Sequence, residues 1–200
     1  MNINVRKILL FVGITFVLTI LLHILIPLSK NPAGLLGIAM IIPLISVVIV
    51  QKAIYREKVI PTLGFSHTQF RWYLLAVIIP IILSFDLNWT FKQFIFMMAI
   101  GLTVSTLSAM LEEVAWRGFL RKELNGLGKL KIYLFTAFIW SIWHIPVAIL
   151  YKYTDAIFIN TIWYCGQLFL LSLIISWLRD ASNSIIPASI FHGMLNVFYF

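Results

Sequence analysis

Cysteine is nearly absent: Cys165 stands alone in 200 residues, which excludes a disulfide framework, a CxxC metal clamp and a thiol pair for redox work. Acidic residues are scarce, seven against fifteen Lys and Arg, and charged residues of both signs make up only 11% of the chain. A soluble domain carries about 25%. Polar linkers, low-complexity tracts and internal repeats are missing too. The formal net charge of +8 does not point to nucleic acid, because the basic residues fall in short connections between apolar runs, not on one face.

What remains is apolar. Hydrophobic residues make up 62% of the chain, and the mean hydropathy is +1.00. A membrane-spanning helix needs about 20 mostly apolar residues, and seven runs qualify, at 7 to 27, 35 to 55, 72 to 88, 93 to 120, 131 to 151, 157 to 178 and 184 to 200. The expected fold is all-α, a polytopic transmembrane bundle of about seven spans, within a range of six to eight. Pro27 with SKNPAG, YREKVIP, NGLG and RDASNS mark breaks between runs. The basic start and long apolar stretch, with no A-x-A-like site after it, read as a retained first span. With the N-terminus cytoplasmic, twelve basic residues fall on the inner face (Arg6, Lys7, Lys52, Arg56, Lys58, Arg71, Arg117, Arg121, Lys122, Lys129, Lys131, Arg179) and three on the outer (Lys30, Lys92, Lys152). That split follows the positive-inside rule and places a multi-pass protein in the cell membrane.

An ionised side chain at the bilayer centre costs roughly 2.5 to 3.5 kcal/mol, so LEEVAWRGFL at 111–120 needs a reason. Arg117 follows Glu113 by four residues, the favourable order for an ion pair on one helix face. Glu112 points about 100° away, on a stripe of small residues, Gly101, Ser105 and Ser108, that lets another helix approach. Glu112 therefore faces protein, not lipid. Two later runs pair Trp140 with His144 and His192 with Asn196 at i, i+4. Each histidine lies thirteen residues from an inner-face basic residue, about 20 Å deep, and Glu112 lies about 14 Å from the same face. One cavity can gather all four groups.

A carboxylate in a dry pocket suits a general base that takes a proton from water. Glu112 is the candidate for it. His144 would orient that water or pass on its proton, while His192 and Asn196 would donate hydrogen bonds to the oxyanion of a peptide bond under attack.

EEVAWRGFL with WSIWH and HGMLN resembles the CPBP intramembrane proteases, the Abi-type group that contains CAAX prenyl endopeptidases and bacteriocin-processing or immunity proteins. The motifs EExxxR, FxxxH and HxxxN/D fall on Glu112, Glu113 and Arg117, on His144, and on His192 and Asn196, across roughly residues 95 to 200. Trp140 stands where the second motif usually has phenylalanine. The resemblance implies a helical membrane domain that hydrolyses peptide bonds with a glutamate-activated water and no cofactor, Glu113 and Arg117 supporting. It divides the chain into N-terminal helices without a motif, residues 1–92, and a catalytic core, residues 93–200, in one folded unit.

Blander readings compete. Glu112, Glu113 and Arg117 could form a structural ion network at a helix end, and each histidine alone reads as a satisfied core group. The joint pattern favours the site. Trp116 and Trp140 are expected to pack; His23 and His67 lack a motif, and Asp86 and Asp155 belong to outer-face connections. A zinc ion on Glu112, His144 and His192 is the mechanistic rival, weakened by the lack of an H-E-x-x-H pair. The expected activity is endopeptidase cleavage near the cytoplasmic leaflet of a leader-bearing peptide, a CAAX-like tail or a membrane protein. A non-catalytic immunity or scaffold protein on the same fold is the alternative, and a proton-coupled transporter is disfavoured because no discontinuous-helix pair appears. Oligomeric state is left open.

Overall fold

The computed structural model describes residues 3–29, 36–84, 86 and 89–199. The expected position of Lys30 and of the break at 30–35 lies outside them, as does part of the expected 72 to 88 run. Among the described residues there is no strand, and seven apolar helices follow one another: α1 Val5–Leu28, α2 Gly37–Ile54, α3 Phe70–Leu83, α4 Phe91–Glu123, α5 Lys129–Lys152, α6 Ile157–Ser182 and α7 Ile185–Phe198. Five are long and apolar enough to cross a membrane. The fourteen-residue α3 and α7 are shorter than the runs that predicted them. At about 1.5 Å per residue they reach about 21 Å, against a hydrocarbon core of about 30 Å.

Local chemistry sets the helix starts. The Asn4 side chain accepts from the Lys7 amide at 3.1 Å, Thr90 and Gln93 form a capping box at α4, and Ser184 caps α7 through the Ile186 amide at 3.3 Å. Gly128, at φ +80°, makes the turn into α5.

Contacts define two ends. At the first, the Lys7 ammonium donates to Glu123 at 2.8 Å and also to Glu57. Arg121 pairs with Asp180, which also accepts from the Tyr133 hydroxyl at 3.0 Å, and the Ile185 amide donates to the Gly64 carbonyl at 3.1 Å. At the second end, His23 meets Tyr151 at 3.5 Å, Gln167 donates to Tyr199 at 2.9 Å, and Trp89 packs edge-on against Phe198. Successive helices thus alternate direction, as the seven-run reading required.

The interior holds Phe11, Trp116, Phe119, Trp140, Leu168 and Phe191. Outside, Ile20, Ile24, Phe158 and Trp163 are exposed, as lipid-facing positions should be. The small-residue stripe is where α7 lies against α4. A Cβ on Gly193 would stand 2.5 Å from the Thr106 amide nitrogen, and one on Gly101 would stand 2.7 Å from Met194 Sδ. The Ser105 hydroxyl donates to the Gly193 carbonyl at 2.8 Å. That close approach delivers His192 to the carboxylates of α4.

Candidate active site

Glu112 and Glu113 are both buried and separate as the helical phase required. Glu113 Oε1 accepts from Arg117 Nη1 at 2.9 Å and from His192 Nδ1 at 2.8 Å. The other guanidinium nitrogen, Nη2, donates to the Ser172 hydroxyl of α6 at 2.6 Å. Arg117 is therefore not an inner-face charge, as the topology reading counted it, but a buried strut joining α4 to α6 at 1% exposure. The turn that holds it, Val114–Leu120, is a π-helical widening of α4, a distortion common at functional sites.

Glu112 has a different partner. Its Oε2 accepts from Trp140 Nε1 at 3.0 Å. Trp140 was expected only to pack; it also stacks under the Arg117 guanidinium at 5.0 Å and meets the rings of His144 at 4.6 Å and His192 at 5.3 Å, both edge-on. The signal for it in sequence was its place four residues before His144. Nothing in sequence aims an indole N–H.

His144 sits where α5 breaks. Pro146 has no amide to continue the ladder, and the His144 amide donates to the Ser141 carbonyl at 3.2 Å. The Trp140 carbonyl, its ordinary helical partner, lies 2.7 Å from His144 Nδ1 instead. A carbonyl can only accept, so Nδ1 carries the proton and Nε2 of the neutral ring presents a lone pair. The bond from His192 Nδ1 to Glu113 likewise leaves Nε2 of that ring as the free face.

Glu112, His144, His192 and Asn196 line one cavity of about 180 Å³. Trp140, Tyr164 and apolar groups of α2, α5 and α6, among them Ala39, Met40, Val147 and Leu168, complete its walls. The four polar candidates from three helices thus share one chamber, while Glu113 and Arg117 lie behind it. His23 and Tyr151 pair at the second end, and His67 lies in the connection between α2 and α3, so neither histidine joins the cavity. Among the described residues no three His, Cys, Asp or Glu side chains are grouped closely enough to hold a metal ion.

A search of curated proteins finds no match to the chain. The family described as Type II CAAX prenyl endopeptidase Rce1-like matches residues 93–198, from the start of α4 to the end of α7. That stretch is more than half of the chain and contains every polar group of the cavity, so this multi-pass membrane protein belongs to the Rce1-like type II CAAX prenyl endopeptidase family, a family of proteases.

Proposed function

We propose that the protein is a metal-free intramembrane endopeptidase in which Glu112 activates the attacking water. The observation that carries this reading is the convergence of Glu112, His144, His192 and Asn196 on one cavity. Trp140 holds one oxygen of Glu112, leaving the other to take a proton from water. His144, its Nδ1–H committed to the Trp140 carbonyl, offers Nε2 as a second acceptor that aims the same water. The water oxygen bonds to the scissile carbonyl carbon, its proton passes to Glu112, and the carbonyl electron pair moves onto oxygen. Asn196 donates to that oxyanion. His192, its ring held at Nδ1 by the Glu113 carboxylate, faces the same oxyanion with Nε2. Collapse breaks the C–N bond, and the amine leaves with the proton that Glu112 held.

The substrate is a peptide or membrane-protein segment presented within the bilayer. The membrane is the cell membrane, with the first end cytoplasmic. This is supported by the gathering there of Arg6, Lys7, Lys52, Arg56, Arg121, Lys122 and Arg179, against Lys92 and Lys152 at the second end among the described residues.

The test compares peptide termini by mass spectrometry in membranes from cells making the wild-type protein or Glu112→Gln at matched levels. Termini that vanish with the variant establish the protease and name its substrate. Identical termini, with a phenotype that both proteins still confer, would move the reading to a non-catalytic immunity or scaffold role.

A further inference from the structure

Several buried hydroxyls of this bundle turn back onto their own helix. Thr15, Thr19, Ser46 and Ser189 each donate to the carbonyl four residues earlier, at 2.8 to 3.0 Å. Thr136 of α5 and Ser176 of α6 are equally buried and do not. Neither hydroxyl has a hydrogen-bond partner among the described residues, and the same holds for Arg117 Nε and Glu113 Oε2. Orphaned polar groups in a dry interior are costly, so their position calls for a partner.

That position is one seam. Ser172, Ser176 and Asp180 follow one another at i, i+4 on α6. At the first end Asp180 accepts from the Tyr133 hydroxyl of α5 at 3.0 Å. Two turns further in, Ser172 accepts from Arg117 Nη2 at 2.6 Å, and that guanidinium lies 5.0 Å from the Trp140 ring of α5. The two antiparallel helices are thus matched at both levels, and Thr136 and Ser176 occupy the turn between. The inner end of the seam is the back wall of the cavity, because Trp140 and His192, which line the chamber, are the groups that Arg117 and Glu113 touch. Buried waters typically join about three polar groups that lack other partners.

Resting on the endopeptidase reading above, we infer that the seam between α5 and α6 holds a file of bound water, from Tyr133 and Asp180 at the first end to Arg117 and Glu113 behind the chamber, and that this file replenishes the water Glu112 activates. The chamber walls formed by Ala39, Met40, Val147 and Leu168 are apolar and offer water no foothold. A peptide seated in a space of about 180 Å³ also fills the opening by which it entered. Water and peptide then arrive by separate routes.

Thr136→Val tests the hydration without any substrate, since valine keeps the shape of threonine and removes only the hydroxyl. In a dry seam the change deletes an orphan and raises the thermal midpoint of the detergent-solubilised full chain. In a hydrated seam it takes a partner from bound water and lowers the midpoint. The expected result is a lower midpoint for both Thr136→Val and Ser176→Ala. Cleavage per folded molecule, read as peptide termini in membranes, should fall about tenfold in the double variant, as losing one good hydrogen bond on the route would give, and should be kept by Thr136→Ser. A midpoint unchanged or raised in either single variant overturns the hydrated seam, and unchanged cleavage per folded molecule overturns its role in supply. If the double variant does not fold, the single variants give both readings. The thermal readings do not depend on hydrolysis, so failure of the Glu112→Gln terminus test would remove the protease reading and leave the hydration result standing.

Discussion

Trp140 Nε1 donates to Glu112 Oε2 at 3.0 Å, at a position where the related motif usually carries a phenylalanine that has no hydrogen to give. The bond fixes which carboxylate oxygen faces the cavity. A hydrogen bond to a charged group contributes about 1.5–3 kcal/mol, and about 1.36 kcal/mol is tenfold in rate. Trp140→Phe keeps an aromatic ring against His144, His192 and Arg117. It is expected to slow terminus formation by about 10- to 100-fold with little change in the amount of folded protein, read by quantitative mass spectrometry against a detergent-solubilised unfolding curve.

Glu113 and Arg117 form a buried pair on which His192 and Ser172 also depend. Removing one partner of a buried ion pair leaves an uncompensated charge and costs about 3–5 kcal/mol. Arg117→Met is expected to lower the thermal midpoint sharply in detergent. The double variant Glu113→Gln with Arg117→Met should recover part of that loss, because no lone charge is left. A double variant less stable than Arg117→Met would contradict the pairing.

Much of this was legible before any coordinates. The 3.6-residue period separated Glu113, aimed at Arg117, from Glu112, aimed at other helices, and both directions hold. The stripe of Gly101 and Ser105 marked the approach of another helix, and α7 lies there. Which groups of distant segments pair was not legible: His192 and Glu113 are 79 residues apart, and no local period reports which oxygen an imidazole meets. Trp140 read as packing because an indole in an apolar chain buries mainly ring, and its single donor acquires meaning only when an acceptor from α4 arrives. The run at 72 to 88 already read as short and ending at Asp86, and α3 stops at Leu83, before that charge.

Gly193 lets α7 lie on the Thr106 backbone, one residue from His192. A methyl group there forces the helices apart at about 1–3 kcal/mol, the ordinary cost of overpacking. Gly193→Ala should therefore lower the thermal midpoint, and it should lower cleavage more than stability, since His192 moves with the backbone that carries it. An effect on stability with cleavage per folded molecule unchanged would separate the glycine from the site.

Metal removal distinguishes the proposed chemistry from its rival. If Glu112 activates water unaided, as the arrangement of His144 and His192 on their own hydrogen-bond partners supports, prolonged treatment of detergent-solubilised protein with phenanthroline or EDTA leaves the cleavage rate unchanged. Loss of activity that zinc restores would overturn the metal-free mechanism.

Pro146 supplies the sharpest separation of stability from chemistry. Without an amide at 146 the end of α5 does not run on as regular helix, the His144 amide bonds Ser141, and the Trp140 carbonyl is left to hold the imidazole. Pro146→Ala returns an amide to the ladder, so the helix can continue and the backbone competes with His144 Nδ1 for that carbonyl. The thermal midpoint should hold or rise, while cleavage falls by about 10²-fold, the cost of misplacing a catalytic group by an ångström or so. Damage to the fold would lower both together; opposite movement is the signature of a ring whose tautomer and aim depend on the break beneath it.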